Sequence, residues 1–216
     1  MNRTTRHLLT AAITLSAILA SAPLARADKN DARLGFSAGP WWGSMTEDYL
    51  GASSEVTLAP AIGFEFRLGQ YFKSIFFDWS PTLLNSWTIT GGDRSGQSSY
   101  GSVFALNGGF SFMRMNPAFP LEVYVGIESG NIHFNNGIQV SYTGSTLKFG
   151  ADYLPFRYST GNRIGFTAQY RVTSISEDTV GRLPSGTSVH LHLYYVGVLL
   201  HFGSEGKELR PSSPEL

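Results

Sequence analysis

Glu65, Arg67, Asp78, Glu122, Glu128, Lys148, Asp152, Arg163 and Arg171 share an unusual setting. Each lies in a segment that alternates apolar residues with small ones, and each falls on the small-residue side. Residues two apart on a strand point to the same face, so Glu65 and Arg67 are neighbours on one face, as are Lys148 and Asp152 at a spacing of four. Charges of both signs on a face otherwise built of Gly, Ala, Ser and Thr can form an ion-pair network, a selectivity filter or a proton path. If that face is enclosed, an unpaired charge costs several kcal/mol, roughly, even after relaxation. Five acids against four bases therefore favour mutual pairing, a network that fills its enclosure. Truncating Arg67 is then expected to unplug it.

Other chemistry is thinly represented. Ser174-Ile175-Ser176-Glu177 offers hydroxyls near a carboxylate, but it contains no imidazole to accept the proton of Ser176. Without a base, a serine hydroxyl is a poor nucleophile. His190 and His192 are the candidates to supply one from the following segment. As a metal site that pair falls short of the three or four ligands with ordered supporting groups that such sites use. Walker-type loops, HExxH and CxxC are absent, and the chain has no cysteine. We expect no catalytic residues, no metal and no cofactor.

Eight alternating segments must position these side chains. The second sets Val56, Leu58, Pro60, Ile62, Phe64, Phe66 and Leu68 against Thr57, Ala59, Ala61, Gly63, Glu65 and Arg67. The same split recurs around 75–83, 104–112, 121–128, 146–153 and 163–172. The first segment, about 32–43 with Leu34, Phe36 and Trp42, is noisier, and the eighth, about 188–202, is partly apolar on both faces. Tight turns are expected at Gly69-Gln70, Asn116-Pro117 and Ser159–Asn162, and longer polar loops at 44–53, 87–101, 130–144 and 174–186. The loops are where a surface function would concentrate. Short and long connections in alternation predict an all-β, eight-stranded antiparallel up-and-down barrel whose two ends face different surroundings.

Composition says which face looks outward. Charged residues are 15% of 216, and aromatic residues 13%. A soluble surface usually carries about 25–35% Lys, Arg, Glu and Asp, which the small-residue face does not approach. Small residues suit the inside of a narrow barrel, and Leu, Ile, Val and Phe with aromatics near strand ends suit a lipid-facing band. A lipocalin-like barrel, apolar inside, is the alternative set aside here.

The ends of the chain fit export. Arg3 and Arg6 precede an apolar run from Leu8 to Ala20, and Ala25-Arg26-Ala27 is a small-x-small cleavage site. These mark a signal peptide over 1–27, used by the Sec pathway. The barrel is expected over 28–202 and a flexible periplasmic tail over 203–216. After residue 27 there are 13 basic and 16 acidic residues, a balance that argues against nucleic acid as a partner.

Tyr195-Val196-Gly197-Val198-Leu199-Leu200-His201-Phe202 adds a short motif. Tyr195, Gly197, Leu200 and Phe202 resemble the β-signal by which the assembly machinery recognises bacterial outer-membrane barrels, although Phe202 is not the terminal residue. Together with the signal peptide and eight strands, the chain resembles the small outer-membrane barrels of the OmpA transmembrane domain, OmpX and opacity type. The resemblance is one of architecture. It implies a bacterial outer-membrane location, periplasmic termini, a monomer, and contact with outer-membrane lipid, lipopolysaccharide and the barrel-assembly machinery. Members act as adhesins, envelope-stabilising proteins or poor pores, so function does not follow from fold. A surface or envelope-integrity role is expected, ahead of a narrow OmpW-like pore for small or hydrophobic solutes and a PagL-like lipid A deacylase.

Overall fold

In a computed structural model, eight antiparallel strands close into one barrel, in chain order β1 to β8 with β8 back on β1. The structure describes residues 32–49, 52–90, 96, 98–134, 139–159, 162–175 and 187–203. The segments expected to be a signal peptide over 1–27 and a tail beyond 203, with Gly91-Gly92 and Ser176, lie outside them. The strands are β1 Ala32–Tyr49, β2 Ala52–Phe72, β3 Ile75–Thr90, β4 Ser98–Ser111, β5 Leu121–Phe134, β6 Gln139–Ser159, β7 Asn162–Ile175 and β8 Thr187–Phe202. Closure pairs Leu34 with Phe202 and Tyr49 with Thr187, which leaves no open sheet edge. We call the end holding Ala32 and Phe202 the lower end.

The connections differ from the expected alternation. The turn after β2 is Lys73-Ser74 rather than Gly69-Gln70, and Lys73 adopts a left-handed φ of 60°. Gly69 lies inside β2, where a Cβ would overlap the backbone of Phe77 on the next strand. The polar stretch 44–53 is mostly ladder: Glu47 pairs with Ser54 and Tyr49 with Ala52. Strands likewise run into 87–101, 130–144 and 174–186. Polar side chains do not prevent a strand when the backbone groups find cross-strand partners. At the lower end 112–120 is the longer connection, folded on itself by Met115 and Asn116 amides donating to the Phe112 carbonyl at 3.0 and 2.8 Å.

The alternation of β2 also breaks. Trp41 pairs with Ala61 but Gly43 pairs with Leu58, so one extra residue sits at Ala59-Pro60. β3 carries a matching irregularity between Leu84 and Trp87. A bulge shifts every later side chain to the other face. Val56 and Leu58, expected on the same face as Ile62, are buried inside the barrel, while Thr57 is exposed.

Glycines make room for the large interior rings. A Cβ at Gly63 would overlap the Trp41 indole, and one at Gly150 would overlap the Tyr124 ring. Gly63→Ala is expected to lower unfolding free energy by about 1–3 kcal/mol through overpacking, with a red shift of tryptophan emission as Trp41 is displaced. An unchanged denaturation midpoint would show that the indole relocates freely.

Candidate functional site: the ion network of the lumen

The nine ionisable residues singled out from the sequence all point into the barrel, none more than 5% exposed. Arg33, not singled out, joins them and is fully buried. It links three strands from β1, pairing with Asp78 and placing Nη2 at 3.0 Å from Glu122 Oε2 and 2.9 Å from Asp152 Oδ2. Its only sequence signal was a position one before the outward Leu34. Five acids thereby face five bases among the described lumen residues.

Two hubs organise the network. Glu65 accepts from Arg67 Nε at 2.7 Å, Lys148 Nζ at 2.8 Å, Arg171 Nη2 at 2.7 Å, Gln169 Nε2 at 3.0 Å and Thr82 Oγ1 at 3.1 Å. Asp152 bridges this cluster to the lower one, because it pairs with both Arg33 and Arg67. Arg67 also donates to Tyr124 Oη at 2.7 Å and Thr167 Oγ1 at 2.9 Å. Arg171 pairs with Glu128. Arg163 lies near the lower end, where its Nη1 donates to the Leu154 carbonyl at 3.0 Å.

Neutral groups complete the set. Tyr71 donates to Glu122 Oε1 at 2.6 Å and lies 3.0 Å from His201 Nε2. Asn107 donates to Asp78 Oδ1 at 2.5 Å and Ser80 Oγ at 2.8 Å. Rings cover the cations: Phe76 lies 4.1 Å from the Arg33 guanidinium carbon, Tyr124 4.8 Å from that of Arg67, and Trp41 4.3 Å from that of Arg171. Each such contact contributes about 2 kcal/mol when desolvated. Sequence reasoning missed the tyrosines and Phe76 because alternation marks the face, not the role. Tyr71→Phe is expected to cost about 1–3 kcal/mol by leaving Glu122 and His201 short of a partner; equal stability in urea titrations would remove Tyr71 from the network.

Above the charges the lumen changes character. Trp41 stacks on Tyr195 with centroids 4.4 Å apart, and Met45, Val56, Leu58, Val103, Val189, Leu191 and Leu193 pack around them. Tyr195 and Gly197 face this interior, while Leu200 and Phe202 face out, so the four motif positions divide between faces as their spacing requires.

The outside of the lower barrel is apolar. Ile62, Phe64, Phe66, Phe77, Leu83, Leu106, Val125, Ile127, Phe149, Phe166, Val196 and Val198 are all exposed there. Charge inside and hydrocarbon outside reverse a water-soluble protein. The chain is a transmembrane β-barrel. No described helix is long and apolar enough to cross a membrane.

No protein-family model matches the chain, and no curated protein matches it. Among solved structures it is similar to Neisserial surface protein A, at 9% identity and a TM-score of 0.40, covering 80% of this chain and 96% of that one. It is also similar to the outer membrane protein OprG from Pseudomonas aeruginosa, at 12% identity and a TM-score of 0.43, with coverages of 80% and 96%. The outer membrane protein AlkL in lipid bilayers shares 10% identity at a TM-score of 0.43, with coverages of 86% and 93%. These likenesses concern shape alone; the closure of this barrel stands on its own strand register.

The residues weighed for hydrolysis are elsewhere. His190 and His192 point outward from β8, away from the lumen. His192 Nδ1 is 2.7 Å from the Tyr170 hydroxyl, and His190 Nε2 is 3.9 Å from Asp48 Oδ2. Register sets Ser174 opposite His190.

Proposed function

We propose that this protein is a small integral barrel of a bacterial outer membrane with a closed lumen, acting at the surface or in envelope integrity. The observation that carries this reading is the lumen filling: a charge-balanced, hydrogen-bonded network capped by the Trp41–Tyr195 stack. A scaffold sealed in this way is suited to hold loops and a rim at the cell surface rather than to pass solutes. Export through the Sec pathway, recognition by the barrel-assembly machinery through Tyr195 to Phe202, and contact with lipopolysaccharide belong to the same proposal.

Planar-bilayer conductance of refolded protein tests it. Silence is the expected result; steady conductance would replace the closed scaffold with a narrow pore of the OmpW kind. We also propose a non-catalytic role, since the Glu-rich and Arg-rich interior is occupied with its own pairs. Mass spectrometry of lipid A from expressing cells checks that point, and loss of one acyl chain would establish a deacylase instead.

A further inference from the structure

The barrel has two sections of opposite polarity. In the lower one, charges lie inside and apolar side chains outside. Above the Trp41–Tyr195 stack the pattern reverses. Met45, Val56, Leu58, Val103, Val189, Leu191 and Leu193 form most of the inside, beside the buried Thr146–Thr173 hydroxyl pair, whereas Thr46, Asp48, Glu55, Thr57, Thr88, Thr90, Ser174 and His190 look out. On β2 and β3 the reversal uses the paired irregularity at Ala59-Pro60 and Leu84–Trp87. β1 and β8 change residue type without any slip between them, since Trp41 pairs with Tyr195 and Met45 with Leu191 in one register.

Strand length gives the reversal a meaning. β1 has 18 residues, and β2 and β6 have 21 each, yet a tilted strand crosses a bilayer core in roughly 9–11. Below the reversal lie 32–42 of β1, 61–72 of β2 and 193–202 of β8, which are about that length. At the level of the change stand Trp42, Tyr194, Tyr170 and His192, stacked in sequence at centroid separations of 6.0, 5.2 and 6.0 Å. Amphipathic rings of this kind belong at a membrane–water boundary.

We infer that the outer boundary of the acyl layer passes through this aromatic row and the Ala59-Pro60 bulge. The upper section is a water-facing collar with a largely apolar core, presenting a hydroxyl-rich outer wall to the aqueous and saccharide layer. The lower section alone contacts lipid tails. This rests on the transmembrane reading, and it adds where the membrane ends.

Single cysteines test it without background, because the chain has none of its own. Phe66→Cys and Val198→Cys report the belt; Thr57→Cys, Thr90→Cys and Ser174→Cys report the collar. Each protein is refolded into dimyristoylphosphatidylcholine vesicles with a membrane-impermeant maleimide on both sides, so orientation does not matter, and folding is checked by the heat-dependent gel shift. Collar positions are expected to label at least tenfold faster than belt positions. Protection of all five positions would overturn the boundary while leaving a membrane-spanning barrel. Rapid labelling of the belt positions would overturn the transmembrane reading itself.

Discussion

Glu65→Ala is expected to cost about 3–5 kcal/mol of unfolding free energy, the range seen when one partner of a buried ion pair is removed. The side chain is fully buried and touches three cations at 2.7–2.8 Å. Removing it leaves Arg67, Lys148 and Arg171 facing one another in a space without another full counter-charge for all three. Arg67 and Arg171 keep Asp152 and Glu128 as partners, so Lys148 bears the greatest loss. Adding Lys148→Met restores equal numbers of acids and bases, and the double variant is expected to recover at least half of the lost stability. Urea titration in detergent micelles, followed by tryptophan emission and the gel shift, provides the comparison. A double variant as unstable as the single one would assign the cost to packing rather than charge.

The second large effect concerns conductance. Arg67→Ala opens a gap in the charged section but leaves the apolar one above it intact. The sequence alone leads to the expectation that Arg67→Ala unplugs the lumen. A hydrophobic constriction, however, blocks ions by staying dry, so with the Trp41–Tyr195 layer above it Arg67→Ala alone is expected to remain silent in planar bilayers. Trp41→Ala alone is expected to be silent as well, because the ion network persists beneath it. Only Trp41→Ala combined with Arg67→Ala should give discrete current steps. Leakage from the single Arg67 variant would show that the Trp41–Tyr195 layer is no seal, and that the charges are the whole plug.

Much of this arrangement was legible in the amino-acid order. Period-two alternation is a local property, so it identified the strands and the face on which Glu65, Glu122, Lys148 and Arg171 lie. The small-residue character of that face and the scarcity of surface charge indicated which side was interior. Turns and loops were less readable: Gly69-Gln70 has turn composition, yet it lies where β2 needs close approach to β3, a requirement set by another strand.

Tertiary structure decided the rest. Partner choice is the clearest case, since Arg33 joins Asp78, Glu122 and Asp152, carboxylates 45, 89 and 119 residues away. No spacing rule connects these positions; the stagger of eight closed strands does. The upper core was hidden for a different reason. Val56 and Leu58 lie in phase with Ile62 along the sequence, and only the extra residue at Ala59-Pro60 turns them inward. A periodic pattern records which residues share a face while the ladder is regular, and it carries no mark of where a neighbouring strand forces a slip. The sequence therefore determined a barrel with a polar lumen, and closure of the barrel determined how that lumen is filled and where its polarity reverses.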